Sequence, residues 1–241
     1  MRTLVIGDIH GAYKCLIEVL EKAGPADRVV FLGDYVDGLP QTFEVVEHIR
    51  KMSNAVCIRG NHDQWAIEWL DRCKSLRNYQ WRPDSIHYDQ GGKSTYVSYM
   101  GKADSPFHMN EHHQFLRATL PHFIDEDGRV YVHGGFDMRG VGAPDMVKMW
   151  DRDLMQGAYR LSKNPSKTGI PAPYSMYPEI YIGHTATKFF TEKEEPANWL
   201  NLWCMDTNCG WGGPLVAMDV DTKEMFYSQP ARDHYPDYKG R

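Results

Sequence analysis

The sequence predicts an α/β fold whose functional site lies at the carboxyl ends of its strands. Apolar runs alternate with helical patterns from residue 3 to residue 76. Alternation of this kind is typical of parallel strands joined by helices that pack on both faces of the sheet. Each of the first three apolar runs also ends in a short motif that contains glycine with aspartate or histidine.

The first half of the chain contains three strand–helix pairs. The run at residues 3–6 is a short buried strand, and apolar residues at helical spacing predict a helix over 13–22 that Gly24 and Pro25 end. The same reasoning predicts strands at 28–32 and 55–58 and helices at 41–51 and 63–76.

The second half has weaker periodicity. Strands are predicted at 129–133 and 179–183, and a helix over 110–120 carries the pair His112-His113, which we interpret as a surface pair. A closing β-meander is predicted from 201–206, 215–220 and 224–229, with a turn at 221–223. Residues 77–101 and the proline-rich residues 156–178 receive no assignment, and loops of that length are functional or mobile. Because no linker divides the chain, we expect one domain over residues 1–241.

Composition excludes several classes of protein. Hydrophobic residues are 42% and charged residues 24%, which is ordinary for a globular protein, and the net charge of -5 provides no basic surface for nucleic acid or an anionic membrane. The chain begins without a signal-peptide pattern, and no run of about 18 apolar residues predicts a membrane span. Five scattered cysteines without a CxxC motif favour a reduced, cytoplasmic protein, with a Cys204–Cys209 disulfide as the alternative.

Three motifs follow the first three strands. They are GDIHG at 7–11, GDYVDG at 33–38 and RGNHD at 59–63. The carboxyl ends of parallel strands meet at one edge of a sheet, where ligands bind in open α/β folds. We therefore expect six side chains to converge there: Asp8, His10, Asp34, Asp37, Asn61 and His62.

Two later motifs add histidines to this group. HGG at 133–135 and GHT at 183–185 each place a histidine after an apolar run. Mixed nitrogen and oxygen ligands suit Mn²⁺, Fe or Zn²⁺ better than Ca²⁺ or Mg²⁺. Since one metal needs three or four protein ligands, this set predicts two metals that share a bridging carboxylate. Two metals about 3.5–4 Å apart stabilise an in-line phosphoryl displacement.

Each motif alone has a simpler explanation. GDIHG is compatible with a tight turn, and GDYVDG with a loop that caps a helix. Five such motifs, each after an apolar strand, favour a metal site instead.

The five motifs resemble those of the calcineurin-like metallophosphoesterases. Within that superfamily they are similar to the phosphoprotein phosphatase family, in its bacterial and bacteriophage serine/threonine branch. The resemblance extends over residues 1–228 and includes Trp150-Asp151-Arg152 and the glycine-rich stretch 206–220. It implies a four-layer α+β arrangement, a central β-sandwich flanked by helices, with a dinuclear metal site at the strand tips.

The resemblance also implies a role for each motif residue. The first metal would be held by Asp8, His10 and Asp34, with Asp34 bridging, and the second completed by Asn61, His133 and His184. A metal-bridging hydroxide would attack phosphorus. His62 would act as the general acid that Asp37 orients, and Arg59 and Arg152 would bind the phosphate oxygens. The expected cofactors are two divalent ions, Mn²⁺ first, with Fe or Zn²⁺ as alternatives.

One position departs from the family pattern. GDYVD is normally followed by Arg-Gly, whereas Gly38 and Leu39 stand here, so one phosphate-binding arginine is missing. Arg139, six residues after His133, is either its substitute or an ordinary surface residue.

The resemblance favours hydrolysis of phosphoserine or phosphothreonine in proteins. The first alternative is a nucleotide hydrolase of the bis(5'-nucleosyl)-tetraphosphatase type. The second is a non-catalytic binding module, against which the complete set of metal ligands argues. No nucleic-acid or membrane partner is expected.

Overall fold

The computed structural model describes residues 1–76, 84–102, 105–164, 169–238 and 240. The strands within these residues are β1 Thr3–Ile6, β2 Arg28–Phe31, β3 Ala55–Cys57, β4 Phe123–Ile124, β5 Val130–Tyr131, β6 Ile180–Ile182, β7 Ala197–Trp199, β8 Leu202–Cys204, β9 Val216–Asp219 and β10 Met225–Tyr227. The α-helices are α1 Tyr13–Ala23, α2 Thr42–Ile49, α3 Asn61–Leu76, α4 Ser85–His87, α5 Lys93–Met100, α6 Ser105–Ala118, α7 Asp145–Trp150, α8 Asp153–Lys163, α9 Lys188–Thr191 and α10 Ala231–His234.

The strands form two mixed sheets. The first has the order β10-β9-β1-β2-β3, in which β1, β2 and β3 are parallel and β9 and β10 are antiparallel additions. The second has the order β4-β5-β6-β8-β7, with β5, β6 and β8 parallel and antiparallel strands at both edges. The five motifs that carry aspartate and histidine follow the parallel strands β1, β2, β3, β5 and β6.

The two sheets pack face to face. Alternate strand residues point to opposite faces, so Val5 and Val30 of the first sheet meet Tyr131 and Tyr181 of the second in a shared apolar layer. The alternate residues of the same strands, Leu4 and Ile6 of β1 and Val29 and Phe31 of β2, face helices α1, α2 and α3. The outer face of the second sheet packs against α8 in the same way. This is the four-layer sandwich that the family resemblance implies.

Two predictions about the arrangement are wrong. Helices do not cover both faces of a single parallel sheet, because the inner face of each sheet is covered by the other sheet. The closing strands do not form one meander: β8 pairs with β6 and β7 in the second sheet, while β9 and β10 form a hairpin on the first. The predicted turn at 221–223 joins β9 to β10, and Asp219 accepts hydrogen bonds from the backbone N–H groups of Asp221 and Thr222.

The two unassigned segments contain regular structure. Helix α4, a π-helical turn Tyr88–Gly92 and α5 occupy most of the first, whereas its residues 77–83 lie outside the described residues. Much of α8 and a 3₁₀ turn at Tyr174–Met176 fall within the proline-rich segment, of which residues 165–168 lie outside the described part.

No helix in the described part of the chain is long and apolar enough to span a bilayer. The five cysteines are thiols, so the alternative of a Cys204–Cys209 disulfide is not formed.

The pair His112-His113 is buried, so the prediction of a surface pair is wrong. Helix α6 packs against α3 and α5, and both rings point inward. His112 lies between two hydrogen-bond partners, with Nδ1 2.8 Å from the Tyr99 hydroxyl and Nε2 2.8 Å from Glu47 Oε2. A neutral ring satisfies both, since Nε2–H donates to Glu47 and Nδ1 accepts from Tyr99. Burial accordingly lowers the pKa of His112 to about 4.

This histidine predicts a specific dependence of stability on pH. An unfolded histidine has a pKa of about 6.5, so the unfolded state binds more protons than the folded state as the pH falls from there to about 4. Its contribution to the free energy of unfolding is therefore present above pH 6.5 and is lost towards pH 4. Between pH 6.5 and 5 we expect the wild type to lose about 1–2 kcal/mol more than His112→Gln. Denaturant unfolding at the two pH values measures this, and equal losses in both proteins would contradict it.

Candidate metal centre

Five of the six predicted metal ligands form two overlapping groups of buried donors. Asp8, His10 and Asp34 make one group, and Asp34, His133 and His184 make the other. Within each group the ligand atoms all lie within 4.8 Å of one another. Asp34 belongs to both groups, which is the geometry that a bridging carboxylate requires.

The sixth predicted ligand, Asn61, completes the second group. Its side-chain oxygen lies 3.0 Å from His133 Nε2, at the first residue of α3. Asp34 Oδ2 lies 3.5 Å from His10 Nε2 and 3.4 Å from His133 Nε2. The ligands predicted from five strand tips are therefore brought together at a single point, although Asn61 is the first residue of α3 rather than part of a loop before it.

Two of the histidine rings are oriented by the backbone. His10 Nδ1 lies 3.0 Å from the carbonyl oxygen of Val36, and His133 Nδ1 lies 2.8 Å from that of Leu32. A carbonyl oxygen only accepts, so Nδ1 carries a proton in both rings, and Nε2 is the atom that would offer its lone pair to a bound metal. Metal-binding histidines are usually fixed in this way.

Glycines make room for the carboxylates. A Cβ atom at Gly60 would overlap Asp34 Oδ1, and one at Gly183 would overlap Asp8 Oδ1. A Cβ atom at Gly210 would lie 2.5 Å from Cδ2 of the His10 ring. The donor set, the ring tautomers and these close approaches all fit a pair of divalent cations.

Backbone strain is concentrated at the same residues. His10, Asp34, Asp37 and His184 all have positive φ, between 50° and 70°. This left-handed region is disfavoured for side chains other than glycine and typically occurs at functional sites. Here it occurs at three of the predicted metal ligands and at Asp37, in the loops that follow β1, β2 and β6.

The electrostatics of the centre favour added positive charge. Burial and the nearby carboxylates of Asp206 and Asp34 raise the pKa of Asp8 well above its usual range. Burial opposes the charge on Asp34 as well, but His133, His62 and His10 hold the pKa of Asp34 well below its usual value. His133 is buried, which lowers its pKa, but the carboxylates of Asp34 and Asp8 raise the pKa to about 9. Bound divalent cations would replace the protons on Asp8 and His133 as the positive charge that balances the buried carboxylates.

The predicted acid pair lies beside this centre. His62 Nδ1 is 2.7 Å from Asp37 Oδ2, and both side chains are buried. The His62 and His10 rings meet edge to face with centroids 5.1 Å apart. His62 is thus held between the carboxylate that orients it and the first group of ligands, as its predicted role requires.

The predicted arginines occupy different surroundings. Arg152 is exposed, and its guanidinium lies 3.0 Å from Thr185 Oγ1 and 3.3 Å from the carbonyl oxygen of His184, at the rim of the centre. Arg59 instead donates to Thr119 and to the carbonyl of Arg117 at the end of α6. Its phosphate contact therefore stays a prediction. Arg139 is exposed and pairs with Asp137, which favours the surface interpretation.

Gly38, which replaces the family arginine, has a φ of 92°. A side chain at that position would strain the backbone, so this loop conformation does not favour an arginine there. The Gly38 N–H donates to the carbonyl of Gly91, which ties this loop to the π-helical turn.

Sequence reasoning missed Asp63, which organises the loops under the centre. Its carboxylate accepts hydrogen bonds from the backbone N–H groups of Asp34, Tyr35 and Gly60. Burial and the neighbouring Asp34 raise its pKa to about 7. Its position in the first turn of a helix was visible in the sequence, but which backbone groups it would reach was not.

Comparison with known proteins decides the family. The family model for the calcineurin-like phosphoesterases matches residues 1–152. The chain belongs to the calcineurin-like phosphoesterase family. It is accordingly a metallophosphoesterase, a hydrolase of a family that uses a dinuclear metal site, and the two buried ligand groups are the candidates for that site.

Relatives of this phosphoesterase include nucleotide hydrolases. A symmetrical bis(5'-nucleosyl)-tetraphosphatase from Pseudomonas fluorescens is 26% identical, over 95% of this chain and 95% of its own length. The asymmetrical bis(5'-nucleosyl)-tetraphosphatase PrpE from Halalkalibacterium halodurans is 27% identical, over 95% and 93%. A protein serine/threonine phosphatase from Saccharomyces cerevisiae has a similar fold, with a TM-score of 0.56, 16% identity and coverage of 96% of this chain and 83% of that one.

The glycine under Asp34 provides a test of the centre. In Gly60→Ala the new Cβ displaces Asp34, and overpacking of this kind typically costs about 1–3 kcal/mol. We expect this phosphoesterase variant to retain less metal after loading with Mn²⁺ and dialysis, although no ligand atom has been removed. The matched control is Gly142→Ala, because a Cβ there meets no atom of the described residues within 4 Å. Metal analysis and thermal unfolding measure both variants, and equal metal content would contradict the assignment of the centre.

Proposed function

We propose that this metallophosphoesterase hydrolyses dinucleoside polyphosphates of the bis(5'-nucleosyl)-tetraphosphate class. The observation that carries the proposal is the similarity, over 95% of the chain, to two relatives that both bear the name of such hydrolases. Both relatives are also covered almost completely, so the similarity includes the region beyond residue 152.

A cavity beside the acid pair supports this substrate class. Its volume is about 580 Å³, and its lining includes Gly38, Tyr88, Lys93 and Tyr238. Gly38 directly follows Asp37, so the cavity opens where the family pattern places an arginine. Two tyrosines are suited to stacking with a nucleobase, and a lysine is suited to a polyphosphate chain.

The chain's own residues can bind, orient and protonate such a substrate. The two ligand groups would hold the divalent ions, which supply Lewis-acid activation of water and of the phosphoryl group. The exposed guanidinium of Arg152 lies at the rim, where a phosphate oxygen can accept from it. His62 Nδ1–H donates to Asp37, which leaves Nε2 as the position from which a proton reaches the leaving oxygen.

A second candidate is hydrolysis of phosphoserine or phosphothreonine in proteins. The observation that favours it is the buried His62–Asp37 pair, since an alkoxide leaving group depends more on protonation than a nucleotide does. The motif resemblance to the serine/threonine branch supports it too. A non-catalytic role is opposed by the two intact ligand groups together with this pair.

The substrates are distinguished by a direct comparison. We expect the Mn²⁺-loaded protein to hydrolyse diadenosine tetraphosphate with a higher kcat/KM than a phosphothreonine peptide or 4-nitrophenyl phosphate. His62→Asn should lower turnover of the preferred substrate by about 10²-fold or more, as expected for loss of a general acid. Selective turnover of the peptide would support the second candidate instead. Failure to turn over any substrate, with two metals bound, would contradict both.

The cavity is tested by reversing one charge. Lys93→Glu places a negative charge in the lining, so KM for diadenosine tetraphosphate should rise about tenfold while KM for 4-nitrophenyl phosphate stays nearly unchanged. The matched control is Lys22→Glu, the same change at the far end of α1, where the lysine pairs with Glu18. Equal effects of the two substitutions on the dinucleotide would rule out a substrate contact by Lys93.

A further inference from the structure

The carboxylate of Asp37 has more partners than a catalytic pair needs. It accepts from His62 Nδ1 at 2.7 Å and from the Thr95 hydroxyl at 2.7 Å. His87 Nε2 lies 3.1 Å from Oδ1 and 3.0 Å from Oδ2 of the same carboxylate. His87 and Thr95 both come from the segment that the sequence left unassigned.

These contacts fix the positions of the protons. The His87 and His62 neighbours hold the pKa of Asp37 far below its usual range despite complete burial, so the carboxylate is ionised and can only accept. His87 must therefore carry its proton on Nε2, and His62 must carry one on Nδ1. A carboxylate that accepts from His62, Thr95 and His87 is more restrained from rotating than one that has lost the His87 donor.

Close packing and one backbone hydrogen bond fix the position of His87. Its side chain is buried, and a Cβ atom at Gly92 would lie only 2.5 Å from its Cδ2 atom. Trp65 contacts both histidines, with ring centroids 4.9 Å from His62 and 5.9 Å from His87. The backbone N–H of His87 donates to Asp84 Oδ1, which fixes the start of the short helix α4.

We propose that His87 is a positioning residue for the acid pair: by donating from Nε2 to Asp37, it holds the carboxylate in the orientation that keeps Nε2 of His62 directed at the leaving oxygen. Within the described part of the chain, the contacts of His87 are with Asp37, Asp84 and Trp65 rather than with a metal ligand, so it acts through Asp37. The inference rests on the proposed hydrolytic function, in which His62 donates the proton. It predicts that loss of His87 lowers kcat more for substrates whose leaving group is more basic and therefore depends more on protonation.

The test compares two aryl phosphates that differ in that need. 4-Nitrophenyl phosphate releases a stable phenolate, whereas phenyl phosphate releases a more basic one. In His87→Leu, kcat on phenyl phosphate should fall about tenfold more than kcat on 4-nitrophenyl phosphate, with KM unchanged for both, since general acid catalysis typically contributes 10²–10⁴-fold. His87→Gln retains a side-chain N–H donor and should restore most of the loss. Equal loss on both substrates, or no loss, would overturn the proposal.

Matched controls separate this role from folding. His113→Leu also removes a buried histidine, one that pairs with Asp71 rather than with the site, and it should leave the ratio of the two kcat values unchanged. His87→Leu should add nothing to the leaving-group effect of His62→Asn, because both act through the same proton. If His62→Asn itself lowers both substrates equally, the acid role in the proposed function is wrong. If it is selective and His87→Leu is not, only the inference about His87 fails.

An independent readout does not need turnover. In the Zn²⁺-loaded protein, the His62 Nδ1–H bonded to Asp37 should give a strongly deshielded proton resonance that His87→Gln preserves and His87→Leu shifts or broadens. An unaltered resonance in His87→Leu would show that Asp37 keeps its orientation without His87, and would overturn the proposal.

Discussion

The buried carboxylate of Asp34 is the constraint on which the rest of the site depends. It lies in both ligand groups, in contact with histidines from both sheets. Burying an ionised carboxylate is unfavourable unless it is paired or hydrogen-bonded. Three features of the surrounding structure stabilise the Asp34 carboxylate. The backbone N–H of His62 donates to Oδ1, and the rings of two histidines lie close to Oδ2. The absence of a side chain at Gly60 leaves space for the carboxylate.

This arrangement explains why the two sheets must be packed as they are. The first sheet supplies Asp8, His10 and Asp34 from the ends of β1 and β2, and the second supplies His133 and His184 from beyond β5 and β6. Among the residues that the structure describes, neither sheet alone contains a bridged pair of ligand groups. The apolar layer between the sheets therefore does more than stabilise the fold, because its packing sets the distance between the two groups.

The acid pair depends on a second, separate piece of the structure. Asp37 is reached from the far side by α4, the π-helical turn and α5, which deliver His87 and Thr95. The same segment lines the cavity next to Gly38 and is bonded to the Gly38 loop through Gly91. This segment thus contacts the His62–Asp37 pair and also lines the cavity, so under the proposed function changes in it would alter chemistry and specificity together.

The sequence predicted several of the strands and helices correctly. For the first three strands and helices, each predicted end lies no more than two residues from the observed end. Each of these elements has a strong apolar pattern and a clear glycine, proline or polar boundary. The short strands β4 and β7 were missed, since two or three residues carry too little periodicity to be recognised. The assignment of β8 to the second sheet was also missed. Strand pairing is decided by where a chain crosses in space, and local sequence does not encode that crossing.

The sequence by itself determined the chemistry of the centre. Donor residues placed directly after apolar strands must meet at one sheet edge, and that rule was sufficient to nominate the residues that make up the two ligand groups. Only the tertiary structure decided what surrounds them: that His112 is buried rather than exposed, that Asp63 collects three backbone N–H groups, and that His87 faces Asp37 across 50 residues of chain. The physical reason is that ligand type and strand position are local properties, whereas burial and hydrogen-bond partners depend on which distant segments pack together.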